Sequence, residues 1–139
     1  LSLVLDASAA LACFFVDERT PDLHGLLARI ADDGCVVPAL WWFEVANGLT
    51  VALRRRRVPE AFRDDALIQL ETLPITTDRP DAGVAWRPAL ALADRYGLTV
   101  YDAAYLDLAR RRGLPLATLD RQLAEAARAA GVETLLTPP

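Results

Sequence analysis

The sequence predicts an α/β fold: a three-layer α/β/α sandwich around a mostly parallel central sheet. Three observations carry this expectation. Short apolar runs of the length of buried strands recur along the 139 residues. A longer segment with helical composition and cap signals follows nearly every run. Strand and helix therefore alternate, which is the mark of crossover connections that lay helices on the faces of a parallel sheet.

The elements follow in order. Ser2–Leu5 is the first strand, and Asp6 directly follows it. ASAALACFFV, residues 7–16, is helical in composition and packs on the sheet. Thr20 and Pro21 open a helix, as N-cap and first helical residue, that runs to about Asp32 before Gly34. CVVP, residues 35–38, is a second strand. Pro38 to about Arg57 is a long helix, and Pro59 opens another to about Thr72. LPITT, residues 73–77, is a third strand. Asp81 or a neighbour starts a helix to Tyr96, stopped by Gly97. VYDAAYLDLARRRGL, residues 100–114, is a helix closed by Gly113. PLAT is a strand, DRQLAEAARAAG a helix, and VETLL a last strand. Residues 1–139 read as one domain, long enough for a sizeable core, with no repeat, low-complexity segment or linker.

Composition narrows the function. Hydrophobic residues make up 53% and charged residues 24%, which argues against disorder. A net charge of −4 argues against a protein that coats nucleic acid electrostatically, but not against a nuclease whose metal site needs acidity. All fifteen basic residues are Arg, so every chemistry that needs Lys is excluded. The absence of Met, at position 1 as elsewhere, points to a processed or trimmed start. Cys13 and Cys35 lie in apolar surroundings without CxxC spacing, as buried free thiols of a reducing cytosol do. The apolar N-terminus imitates a signal peptide, but Asp6 interrupts it and no basic residue precedes it. Pro38, Glu44 and Asn47 likewise break the apolar stretch 36–53. A cytoplasmic protein with no membrane anchor is expected.

Four carboxylates stand out by position. Asp6 and Asp120 follow strands, and in open parallel sheets ligands bind beyond the carboxyl ends of the strands. Either Asp alone could equally cap the helix after it. Glu44 sits in PALWWFEVANGL, where Leu40, Trp41, Gly48 and Val51 share its helix face and only Asn47 is polar. A bare carboxylate there is costly. Two readings stand: a carboxylate at the helix margin, solvated or bonded to Asn47, or a pair that enters a polar pocket together. Asp102 opens a helix, where capping is again the plain alternative. Asp107 lies well round that helix and reads as solvated or capping, outside the group. Clustered carboxylates repel and take up protons unless a cation joins them. Mg²⁺ or Mn²⁺ accepts such hard oxygens and can polarise a phosphodiester and activate water.

VLDASA, PALWWFEVANGL, GLTVYDAAYLDLA and LATLD resemble, in order and spacing, the four acidic motifs of the PIN-domain family, and especially its VapC-type toxins. The resemblance runs from Leu3 to about Leu136. It implies a PIN-like fold, with Asp6, Glu44, Asp102 and Asp120 as the catalytic, metal-binding residues and Ser8, Asn47 and Thr118 in support. It further implies a Mg²⁺- or Mn²⁺-dependent endoribonuclease acting on tRNA, rRNA or mRNA, a homodimer, and a cognate antitoxin that inserts along a groove. Without Lys, contacts to the RNA backbone must come from Arg. Arg54–Arg57 and Arg110–Arg112 are candidates, although each group also suits the negative end of a helix dipole.

Rival sites lack their residues. A phosphorylated receiver needs a Lys, and a haloacid-dehalogenase-type site needs an Asp where Ser8 stands. A P-loop needs Gly-Lys. Zinc is poorly served by His24, the sole His and a helix-surface residue, and two distant Cys. Ser2 and Ser8, the only serines, form no nucleophile elbow. A catalytically silent PIN-like binding module is the alternative, and the presence of all four acids speaks against it.

Overall fold

The computed structural model describes residues 2–81 and 84–139. Among them are four strands, β1 (Val4–Leu5), β2 (Cys35–Pro38), β3 (Ile75–Asp78) and β4 (Leu116–Ala117). They lie in the order β3-β2-β1-β4, and every pair is parallel. Seven helices surround them: α1 (Ala7–Ala12), α2 (Pro21–Asp33), α3 (Leu40–Arg54), α4 (Glu60–Thr72), α5 (Trp86–Tyr96), α6 (Val100–Arg112) and α7 (Arg121–Ala129). This is the expected three-layer sandwich.

The chain steps outward from β1 through β2 to β3, then returns to the other side of β1. The β1–β4 boundary is therefore the topological switch point, where the crevice beyond the strand ends opens. Register puts Val4 opposite both Val36 and Leu116, so Asp6 and Thr118 stand at one level beyond the two strands. Leu3, Val4, Val37, Leu116 and Ala117 are fully buried, as a sheet covered on both faces requires. Trp41, Tyr105, Leu106 and Leu108 join them in one core. Helices α1 and α3 pack so closely that a Cβ on Gly48 would meet Leu11 Cδ1 at 2.4 Å. A larger residue there would force the Leu11 side chain to move aside.

Several boundaries differ from expectation. The first helix stops at Ala12 instead of running to residue 16. Its last turns tighten, Phe14 N–H donating to the Leu11 carbonyl at 3.0 Å, and Arg19 Nε takes the freed Cys13 carbonyl at 3.0 Å. Phe15 then stacks on Phe62, and a 3₁₀ turn covers Val16–Glu18. Pro38 belongs to β2, in register with Asp78, so α3 starts only at Leu40. Pro59 is the N-cap of α4 and not its first residue. The expected start of a helix near Asp81 abuts residues 82 and 83, which lie outside the described residues. As described, α5 opens at Trp86. That start keeps Pro88 in the first turn, where a missing N–H costs nothing. VETLL is not a strand but a single parallel bridge, Leu116 to Thr134, closed by Leu116 N–H to the Glu133 carbonyl at 2.8 Å and Leu135 N–H to the Leu116 carbonyl at 3.0 Å.

Four helices end alike. At the ends of α3, α5, α6 and α7 a residue of positive φ turns the chain, and the next N–H donates to a carbonyl five residues back. Gly97, Gly113 and Gly131 serve α5, α6 and α7. The residue after α3's cap is Arg56, at φ 57°.

Candidate active site

Asp6 is built in by hydroxyls. It precedes α1, yet its carboxylate does not cap that helix. Ser8 Oγ and Thr118 Oγ1 both donate to Oδ2, each at 2.6 Å. Each hydroxyl also accepts a main-chain N–H at 3.0 Å, from Leu119 onto Ser8 and from Asp120 onto Thr118. Those N–H groups leave the hydroxyl protons to point at Asp6. Burial pushes the Asp6 carboxyl up, Ser8 and Thr118 oppose the rise, and the charge of Asp120 adds to it, for a net rise.

Glu44 projects from α3, half-buried. Its Oε1 accepts a hydrogen bond from Tyr105 Oη at 2.6 Å, which is the partner its burial demands. Burial raises its pKa, Tyr105 opposes and Asp6 reinforces. Asp102 lies in the first turn of α6, but the cap is Thr99, whose Oγ1 accepts Asp102 N–H at 3.1 Å. The Asp102 carboxylate is thus not consumed by capping. Burial, then the charges of Asp6, Asp120 and Glu44, push it up to about 6. Asp120 does cap α7, Oδ1 accepting Leu123 N–H at 2.8 Å, and remains exposed.

Four elements thus bring Asp6, Glu44, Asp102 and Asp120 within reach of one another's charge. Ser8 and Thr118 orient Asp6. Asn47 is exposed, and no side-chain hydrogen bond joins it to Glu44 among the described residues. Tyr105 is a site residue that the motif reading passed over. Its spacing of three from Asp102, on one helix face, was the available signal. Asp107 is buried rather than solvated or capping, and accepts from Arg111 Nε at 2.8 Å.

The donors are hard oxygens, the set that suits Mg²⁺ or Mn²⁺. Among the described residues no three acidic, His or Cys side chains are close enough to enclose an ion unaided. A cation held by these oxygens would therefore have to keep several of its waters, as Mg²⁺ ordinarily does.

The arginine candidates divide. Arg57 bonds Asp17 at 2.9 Å and Glu18 at 3.3 Å and lies over the Phe15 ring. Arg111 and Arg112 grip Asp78 at 2.7 and 2.8 Å. Arg54, Arg55, Arg56 and Arg110 are exposed. Cys13 and Cys35 are buried and free, and burial pushes their thiols up to about 11 and about 12. Among the described residues no helix is long and apolar enough to cross a membrane.

A parallel sheet with carboxylates gathered at its switch point defines a class, and residues 3–129 match it as the PIN domain: the chain belongs to the PIN-domain family. Within that family it is 35% identical over 125 residues to ribonuclease VapC3 of Pyrobaculum aerophilum, covering 90% of this chain and 94% of the relative. It is 34% identical over 125 residues to ribonuclease VapC3 of Mycobacterium tuberculosis, covering 89% and 86%. The crystal structure of PAE2754 from Pyrobaculum aerophilum matches with a TM-score of 0.72 at 26% identity, over 97% of this chain and 84% of that one.

Proposed function

We propose that this chain is a Mg²⁺- or Mn²⁺-dependent endoribonuclease toxin of a VapBC-type pair, hydrolysing phosphodiester bonds in tRNA, rRNA or mRNA. The observation that carries the reading is the convergence of Asp6, Glu44, Asp102 and Asp120 from four elements, each of the first three with its pKa raised by burial first and by another's charge in addition. The likeness to ribonuclease VapC3 supports the RNA substrate.

Those four carboxylates would hold the cation. When bound, it would supply Lewis acidity toward the scissile phosphate and activation of water. The chain's own contribution is preorganisation. Ser8 and Thr118 both occupy Oδ2 of Asp6, which sets that carboxylate's plane before any ligand arrives. The acidic crevice repels RNA, and exposed Arg54, Arg55, Arg56 and Arg110 offer the compensating charge. In-line displacement would leave a 5′-phosphate and a 3′-hydroxyl.

The resemblance to VapC-type toxins also supports a cognate antitoxin and a cytoplasmic setting. A cleft of about 420 Å³ runs from Ser8 and Leu119 past Gly48 to Arg55, where an inserted segment would reach the acidic site. A homodimer belongs to the same proposal. Phe43, Trp86, Leu90 and Tyr101 are exposed apolar side chains for such a contact.

The test is RNA cleavage by wild type, Asp6→Asn and Glu44→Gln with Mg²⁺ or with EDTA. Cleavage that needs Mg²⁺ and drops at least about a hundredfold in both variants is expected. Undiminished, EDTA-insensitive cleavage in both would remove the metal site. Failure of wild type to cut any cellular RNA would favour the silent binding module.

A further inference from the structure

We infer that Tyr105 is a positioning residue that holds Glu44 in the orientation in which it binds the cation. The inference rests on the metal reading of the site. Tyr105 is completely buried, and its hydroxyl donates to Glu44 Oε1 at 2.6 Å across 61 residues of sequence. Glu44 lies among apolar neighbours, and no other hydrogen bond to its side chain is found among the described residues. Without the phenol, its three side-chain torsions would be free to swing the carboxylate out toward solvent.

The place of Tyr105 in the fold makes it more than one contact. It stands one turn after Asp102 on α6, so the backbone that presents Asp102 also presents the phenol. One buried ring thereby ties α3, which carries Glu44, to α6, which carries Asp102. Oε1 is committed to the phenol, and Oε2 is left for the crevice. Outer groups that orient a metal's ligands are typically worth about 10- to 100-fold in metal affinity.

The experiment is a double-mutant cycle read by Mn²⁺ titration with electron paramagnetic resonance. Wild type, Tyr105→Phe, Glu44→Gln and the double variant are compared, with thermal denaturation in EDTA run in parallel. Tyr105→Phe keeps the ring in the core and removes only the hydroxyl. Mn²⁺ affinity is expected to fall about tenfold or more in Tyr105→Phe. In the Glu44→Gln background the same change is expected to have no further effect, because the tyrosine acts through that carboxylate. A purely structural tyrosine would weaken both backgrounds equally, and that result overturns the inference. So does a Tyr105→Phe variant that binds Mn²⁺ like wild type. Wild type that binds no Mn²⁺ overturns the metal reading itself, and the inference with it. A second measurement needs no change at Tyr105. With ¹³Cζ-labelled tyrosine, the Tyr105 resonance is expected to move on Mg²⁺ addition in wild type and to stay fixed in Glu44→Gln. A resonance indifferent to Mg²⁺ in a wild type that binds it also overturns the inference.

Discussion

Asp102 carries a conflict between stability and function. Its folded-state pKa lies near 6, above the ordinary 3.8, because burial and three neighbouring carboxylates favour the neutral form. A carboxyl raised on folding binds its proton more tightly in the folded state. Its contribution to stability is therefore fully present below about 4 and is lost as pH rises through about 6. Asp6 and Glu44 shift in the same direction. The metal-free protein is thus expected to melt at a lower temperature at pH 7 than at pH 5. Asp102→Asn is expected to raise the melting temperature in EDTA at pH 7 while reducing Mg²⁺-dependent cleavage. Calorimetry at the two pH values checks both, and a wild type that melts higher at pH 7 would contradict the electrostatic account. The acidic positions themselves were legible in the sequence, because an Asp after a strand and a Glu among tryptophans are local anomalies. The hydroxyl of Tyr105 was not, because nothing near Glu44 in the chain marks a donor 61 residues away.

At the scale of elements, α3 shows how one termination signal can be satisfied by the wrong residue. Arg57 N–H donates to the Ala52 carbonyl at 2.9 Å and Arg56 N–H to the Leu53 carbonyl at 3.0 Å, the closing pattern of the glycine-ended helices. Arg56 adopts it at φ 57°, where a Cβ costs about 1–2 kcal/mol. Arg56→Gly is expected to stabilise the protein by about 0.5–1 kcal/mol, the relief of strain being partly offset by the greater freedom of an unfolded glycine. Chemical denaturation measures it, and a loss of stability would show that the Arg56 side chain contributes more than its strain costs. The sequence located the glycine stops well because they are local chemistry. It extended α3 to Arg57 because four arginines are good helix formers and contain no breaker. The early end of α1 was equally hidden, since the capping Arg19 lies outside that helix.

At the scale of the molecule, Asp78 joins the edge of the sheet to α6. It is 6% exposed and receives Arg111 and Arg112, while Arg111 also holds Asp107. Burial works to raise its pKa, but the two guanidiniums outweigh it and hold the carboxyl below its ordinary value. Asp78→Ala is expected to cost about 1–3 kcal/mol, less than a fully buried pair because both arginines can reach water. Thermal denaturation is the readout, and an unchanged melting temperature would mean that the network sets orientation without adding stability. The sequence by itself determined the alternation of strands and helices, the glycine stops and the carboxylates at the strand ends. All of these arise from residues near one another in the chain. Only the tertiary structure decided that β4 returns beside β1, which sets Thr118 against Asp6, and that α6 packs across β1 and β2, which sets Tyr105 against Glu44 and its arginines against Asp78. Strand order follows from burying whole faces of distant segments together, and no short stretch of sequence carries that information.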